Sequence, residues 1–212
     1  IIGSSSSVYG ANKKIPFQEI NKTDHQVSLY AATKKSTESL AHSYSSLWKL
    51  PITMLRFFTV YGPFGRPDMA YYKFTKKILE GKKIDIYNKG KMYRDYTYVD
   101  DIVDGIYKLI NKIPVLNSKK KFNNDSLSPV APFRILNIGN TEKILLLDFV
   151  NTLENELNIK IKKNYLAMQK GDVYSTLSDS SLLKRITGYN PKTNYKIGIK
   201  KFINWYLNYY KN

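Results

Sequence analysis

The chain has 212 residues, of which 42% are hydrophobic and 14% aromatic, enough for a sizeable core and too apolar for a disordered segment. It contains no cysteine, which excludes disulfides and thiolate metal sites and fits a reducing, cytoplasmic setting. The formal charge of +17 invites a nucleic-acid reading, but the excess is lysine spread in ones and twos, with a single run of three at Lys119-Lys120-Lys121, so a solvated basic surface is expected, with no nucleic acid and no membrane as partner.

Ile1-Ile2-Gly3 reads as the tail of a buried strand, not as a signal peptide, because neither a basic segment nor a long apolar one accompanies it. Ser4 to Ser7 and then Val8-Tyr9-Gly10 read as the loop at that strand's carboxyl end. Residues 11–27 are polar and irregular. From Ser28 to Leu50, Leu29, Ala32, Leu40, Tyr44 and Leu47 recur near helical spacing, with Ser28 as N-cap and Pro51 as the stop. Ile52 to Phe58 is β-branched and aromatic and predicts a buried parallel strand. Strand, helix and strand make a βαβ unit, so the fold class expected is α/β with a doubly wound parallel sheet.

Thr59 to Ala70 is a Gly- and Pro-rich loop beyond that strand, at the end where open α/β sheets bind ligands. Helix is expected over 71–79, short strands over 84–87 and 93–98, and a helix capped by Asp100 running to about Asn111. A long surface loop spans 114–133, a strand 135–138 and a helix 146–157. An edge strand follows over 159–163, then helices over 180–186 and 197–210. Residues 1–70 are expected to complete the large sheet and 71–212 to build mainly a smaller mixed α/β lobe, with 135–138 free to return to the sheet.

Tyr30 and Lys34 are four apart on the first helix and so point the same way. A lysine beside a tyrosine favours the phenolate, which can act as a base, and a serine from the preceding run could bridge it to a substrate hydroxyl. His25 and His42 are too isolated for a metal site, so none is expected. Trp205, Tyr206, Tyr209 and Tyr210 read as helix packing. The apolar positions over 29–47 fit either core packing or half of a dimer interface.

Seven ordered stretches resemble the extended short-chain dehydrogenase/reductases that modify nucleotide sugars, in particular the UDP-glucuronate 4-epimerases. They are Ser4-Ser5-Ser6-Ser7-Val8-Tyr9-Gly10, Ser28 to Lys35 with Tyr30 and Lys34, Leu55 to Pro63, Gly65-Arg66-Pro67-Asp68-Met69-Ala70, Arg94 to Asp101, Leu136-Asn137-Ile138-Gly139-Asn140, and Gly171-Asp172-Val173. The Tyr-x-x-x-Lys pair alone is a weak signal; seven segments in order are a strong one. The resemblance implies a Rossmann-type sheet, NAD as cofactor, a UDP-sugar substrate, and a homodimer when full length. It implies 4-epimerisation, with UDP-glucuronate converted to UDP-galacturonate through a 4-keto sugar. Another UDP-sugar epimerase, a decarboxylase of the same superfamily, or a non-catalytic UDP-sugar-binding fragment is the alternative.

The resemblance also implies roles. Tyr30 would take the proton from the sugar 4-hydroxyl, Ser5 would relay it, and Lys34 would hold the nicotinamide ribose. Phe57 would lie by the nicotinamide. Ser6, Ser7 and Thr59 would touch the sugar or phosphates, Arg94 the diphosphate, Ile86 and Tyr87 the uracil, and Gln169 and Asp172 the ribose and phosphate region. Arg66 would reach the sugar carboxylate or form a local salt bridge. Where related dehydratases carry an acidic pair and decarboxylases a glutamate, this chain has Ser6 and Ser7, which favours simple oxidation, rotation and reduction. Gln26 and Lys170 stand where close relatives carry proline. No Gly-x-x-Gly-x-x-Gly follows a strand, so the chain is expected to be the C-terminal portion of a longer protein and inactive alone.

Overall fold

The computed structural model describes residues 1–117 and 122–210, so the Lys119–Lys121 run lies outside the described residues. A three-stranded parallel sheet anchors the fold, in the order β1 (Ile2–Ser5), β2 (Ile52–Phe57), β7 (Phe133–Ile138). Strand β2 is buried on both faces. Ile52 and Met54 pack with Ala41 and Phe133 on one side. Leu55 packs with Leu136, Ile138, Ile102, Leu109, Leu182 and Leu183 on the other. This two-sided burial is why the segment reads as a nearly continuous apolar run. The fold is the α/β class expected, with helices on both faces of a parallel sheet.

Helix α1 (Leu29–Trp48) begins on its predicted cap, where the Ser28 hydroxyl accepts the Ala31 N–H at 3.2 Å. Its face is not the one the periodicity suggests. Ala31, Glu38, Ala41 and Ser45 are buried, whereas Leu29 is 88% exposed and Leu40, Tyr44, Leu47 and Trp48 also face outward. Small residues let the helix sit close on the sheet, so core packing does not account for the large apolar side chains. Glu38 meets Arg56 at the carboxyl end of β2, while Ala41 meets Ile52 at its start. The helix therefore runs antiparallel to the strands, and its N-terminal turn, with Tyr30, stands at the carboxyl end of the sheet.

The second layer is built from paired short strands and three helices. Strand β3 (Thr59–Tyr61) pairs parallel with β6 (Tyr96–Tyr98), β4 (Ile84–Ile86) parallel with β9 (Lys163–Tyr165), and β5 (Tyr93–Arg94) antiparallel with β8 (Ile144–Leu145). Helices α2 (Ala70–Leu79), α4 (Leu146–Leu157) and α6 (Tyr195–Tyr209) close over them. Their common core includes Tyr61, Tyr71, Phe149, Leu153, Ile199 and Phe202. Helices α3 (Val99–Leu109) and α5 (Ser181–Thr187), from the segment read mainly as the second lobe, pack on the large sheet through Ile102, Leu109, Leu182 and Leu183. The C-terminal aromatics do pack on one another and on their neighbours: Trp205 lies 5.9 Å from Phe202, and Tyr206 lies 5.1 Å from Tyr72.

Three local expectations need correction. Thr59–Tyr61, expected as the start of a loop, is a strand, because its backbone pairs with Tyr96–Tyr98. Asp100 does not cap α3; Tyr98 holds that position without a side-chain bond. The adjacent Asp101 instead accepts from the Tyr189 hydroxyl at 3.1 Å and the Thr193 N–H at 2.8 Å, tying the C-terminal loops to the helix start. The strand expected over 159–163 begins only at Lys163. The buried Glu154 carboxylate takes the Ile161 N–H at 2.9 Å, so this backbone donor is spent on a side chain rather than on a ladder.

Candidate active site

The site stands on a buried polar row. In register, Ser4, Arg56 and Asn137 lie side by side across β1, β2 and β7, one residue before the strand ends. All three are buried, so each polar group needs a partner. Glu38 of α1 accepts from Arg56 Nε and Nη2 at 2.8 and 2.9 Å and from the Ser4 hydroxyl at 2.7 Å. Asn137 Oδ1 accepts the Tyr9 hydroxyl at 2.7 Å, and its Nδ2 donates to the Phe17 carbonyl at 2.8 Å. The Arg56 guanidinium lies 4.8 Å from the Tyr9 ring centroid. Burial pushes the Tyr9 phenol up to about 12, which keeps it a donor. Burial would raise the Glu38 carboxyl too, but the hydrogen bonds and charge of Arg56 carry it below its ordinary value.

The serine run and α1 meet on this row. Ser5 ends β1 and caps a short 3-10 turn over Ser6–Tyr9; its hydroxyl accepts the Ser7 N–H at 3.1 Å and donates to the Ser7 hydroxyl at 3.2 Å. Along α1, Tyr30, Lys34 and Glu38 stand at successive four-residue steps on one face. Glu38 anchors the stripe in the core. Lys34 Nζ donates to the Gly3 carbonyl at 3.1 Å and lies 6.0 Å from the Tyr30 ring. Tyr30 is 51% exposed, and its hydroxyl makes no hydrogen bond among the described residues. The Phe57 ring, at the end of β2, covers Gly3, where a Cβ would come within 3.2 Å of it. An exposed phenol, a lysine with two N–H groups to spare and a flat ring at the strand ends suit the polar ribose and planar ring of a nicotinamide.

Two cavities adjoin. A small one of about 80 Å³ is lined by Ser6, Ser7, Ser28 and Asp172 among others. A larger one of about 560 Å³, within the range of small-molecule sites, is lined by Thr59, Tyr87, Arg94, Gln169 and Asp172. Asp172 lines both, so its carboxylate stands where the cavity of the serines meets the cavity of Tyr87. Arg94 Nη2 meets Asp172 Oδ1 at 2.6 Å. The next residue, Asp95, is buried and fixes this corner. Its carboxylate accepts the N–H groups of Asn140, Thr141 and Ser178 at 2.8, 3.1 and 2.9 Å, and its carbonyl accepts the Thr59 N–H at 3.0 Å. Burial raises the Asp95 carboxyl against these bonds.

The structure thus gathers Ser6, Ser7, Thr59, Tyr87, Arg94, Gln169 and Asp172 in these two cavities, with Ser5, Tyr30, Lys34 and Phe57 at the strand ends. Two expected residues fall outside them. Ile86 is fully buried in the second core and its carbonyl accepts the Leu166 N–H at 2.9 Å, so neither group is offered to a ligand. Arg66 does not line either cavity; its side chain is 70% exposed and pairs with Asp68 at 3.2 Å. Sequence reasoning missed Lys73 and Lys77, which follow Met69 at four-residue steps and share its cavity-facing stripe of α2. Gln26, singled out in the sequence only for standing where relatives carry proline, has an amide that donates to the Thr23 carbonyl and, at 3.3 Å, to the Val8 carbonyl, tying two loops beside the serines. His42 serves packing, bonded to Ser128 at 2.9 Å and edge-on to Phe133. Among the described residues no cluster could hold a metal ion, and no helix is long and apolar enough to cross a membrane.

A model of the NAD dependent epimerase/dehydratase family matches residues 1–123, more than half of the chain. The chain belongs to that family. Protein CapI of Staphylococcus aureus is 50% identical over 212 residues, 100% of this chain and 64% of the relative. A probable UDP-glucuronate 4-epimerase of Rhizobium meliloti is 45% identical over 213 residues, 100% of this chain and 62% of the relative. The crystal structure of the Bacillus cereus UDP-glucuronic acid 4-epimerase in complex with UDP-glucuronic acid and NAD superposes with a TM-score of 0.83 at 31% identity. That match covers 99% of this chain and 62% of the Bacillus one. The chain therefore spans somewhat under two thirds of the length of these relatives.

Proposed function

We propose that this protein is an NAD-dependent UDP-sugar 4-epimerase that interconverts UDP-glucuronate and UDP-galacturonate. The observation that carries the reading is a pair of cavities that share Asp172 in their lining, one at the serine loop and Ser28, the other holding Arg94 and Tyr87, with the exposed Tyr30 in the first turn of the helix that Ser28 caps. A diphosphate-linked nucleotide sugar has the matching parts: a hydroxyl-bearing sugar ring for the serines, two phosphates for the guanidinium, and a base for the aromatic side chain. The relatives named for UDP-glucuronate support the choice of sugar, and serines at 6 and 7 in place of carboxylates support epimerisation as the reaction.

In this reading Tyr30 removes the proton from the sugar 4-hydroxyl and returns it to the 4-keto sugar after rotation. Ser5, whose hydroxyl now rests on Ser7, turns to bridge the sugar hydroxyl and Tyr30. Lys34, bonded to the Gly3 carbonyl, has N–H groups left that would hold the nicotinamide ribose, and Phe57 would cover the nicotinamide ring. NAD, when bound, would supply reversible hydride acceptance at the sugar C4. The test has two parts. Calorimetry should show this chain binding UDP well ahead of ADP; equal affinity for the two would sink the UDP-sugar reading. In the longest natural chain that carries this sequence, Tyr30→Phe should abolish epimerisation at unchanged UDP affinity; retained turnover would remove Tyr30 from the chemistry.

A further inference from the structure

Six charged side chains line the large cavity: Asp68, Lys73, Lys77, Asp85, Arg94 and Asp172. Five of them are already engaged. Lys77 Nζ meets Asp85 Oδ2 at 2.9 Å, Arg94 meets Asp172 at 2.6 Å, and Asp68 meets Arg66, which stands outside the cavity, at 3.2 Å. Lys73 alone has no carboxylate or hydrogen-bond partner among the described residues. Because Asp68 is neutralised from outside, the lining carries one uncompensated positive charge, and it is on Lys73.

We propose that Lys73 binds the diphosphate of the nucleotide-sugar substrate, as a second cation beside Arg94. The proposal rests on the UDP-sugar reading above and extends it. Arg94 can approach a phosphate only by sharing its guanidinium with Asp172, which costs part of that pair. Lys73 gives up nothing comparable: its ammonium is exposed to solvent and carries three donors on a flexible stem, which suits a diffuse dianion. Its place on α2 is set by the stripe Met69, Lys73, Lys77, one turn apart and all facing the cavity. The diphosphate is the anion it fits, because Lys73 shares its cavity with Arg94 and Tyr87, while the serines that would meet the sugar line the neighbouring cavity beyond Asp172.

Calorimetry of this chain and its Lys73→Met variant with uridine, UDP, UDP-glucose and UDP-glucuronate tests the proposal. Lys73→Met should weaken all three diphosphates by about fivefold, the upper range for one solvent-reached charge pair, and leave uridine unchanged. The difference should shrink at high salt, and Lys73→Arg should restore most of the affinity. Lys76→Met serves as control, because Lys76 lies on the same helix outside the cavity and pairs with Glu80 at 3.9 Å; it should bind as the wild type does. Unchanged UDP affinity in Lys73→Met would overturn the proposal, as would a loss confined to UDP-glucuronate, which would mark Lys73 as a sugar-carboxylate ligand. An equal loss for uridine would show a structural effect and overturn it too. Failure of the wild-type chain to bind UDP would instead overturn the UDP-sugar reading itself.

Discussion

Replacing Glu38 by glutamine isolates the buried ion pair beneath the site. Both side chains of the Arg56–Glu38 pair are 2% exposed, so water cannot take over from the lost carboxylate. The substitution keeps the shape and most hydrogen bonds but leaves a guanidinium buried without its counter-charge. Breaking one partner of such a pair costs about 3–5 kcal/mol. With a urea slope of about 3 kcal/mol per molar, the unfolding midpoint should fall by about 1–1.7 M. Removing both charges in Glu38→Leu with Arg56→Met should cost less than Glu38→Gln alone, because desolvation disappears together with attraction. The pH dependence has a definite sign. The Glu38 carboxyl is held below its ordinary value of 4.5 in the fold, so the pair's contribution is present above that value and fades as pH falls through the folded one. A Glu38→Gln variant within about 1 kcal/mol of wild type, or a double variant that costs the sum of the two singles, would refute the reasoning.

Burial pushes the Glu19 carboxyl up to about 7, so folding takes up a proton between pH 4.5 and 7 and stability should fall as pH rises across that window. Glu19→Gln should flatten this slope and be more stable than wild type at pH 8 by about 2–3 kcal/mol; an unchanged slope in urea titrations would count against it. Gly10 has φ 54° and ψ −121° and faces the His25 carbonyl, where a Cβ would collide with backbone. Gly10→Ala should therefore lose about 2–4 kcal/mol of stability, and a melting temperature equal to wild type would contradict it. Arg66→Ala should change stability by less than about 1 kcal/mol, because its ion pair is exposed, and should leave the ratio of UDP-glucuronate to UDP-glucose affinity unchanged. A selective loss for UDP-glucuronate would return Arg66 to the sugar carboxylate.

Local chemistry was legible in the sequence. The α/β class followed from a two-sided apolar strand beside a capped helix, and the pairing of Tyr30 with Lys34 followed from helical spacing alone. The cavity residues Thr59, Tyr87, Arg94, Gln169 and Asp172 came from resemblance in the order of motifs. No pattern within a 10-residue window joins Arg94 to Asp172, because their contact spans 78 positions.

Propensity, capping and periodicity act over a few neighbours, so the sequence alone set the type of the long elements and the residues able to do chemistry, but not the short strands β3 and β8, which exist only through their partners β6 and β5. Tertiary structure decided the rest. It turned the large apolar side chains of α1 outward and seated the helix through Ala31, Glu38 and Ala41, because only small residues and one paired carboxylate fit against the strands. It aligned Ser4, Arg56 and Asn137 into a polar row, a matter of strand register. It also left Lys73 the uncompensated charge of the cavity, since which carboxylate neutralises which cation depends on how distant segments pack.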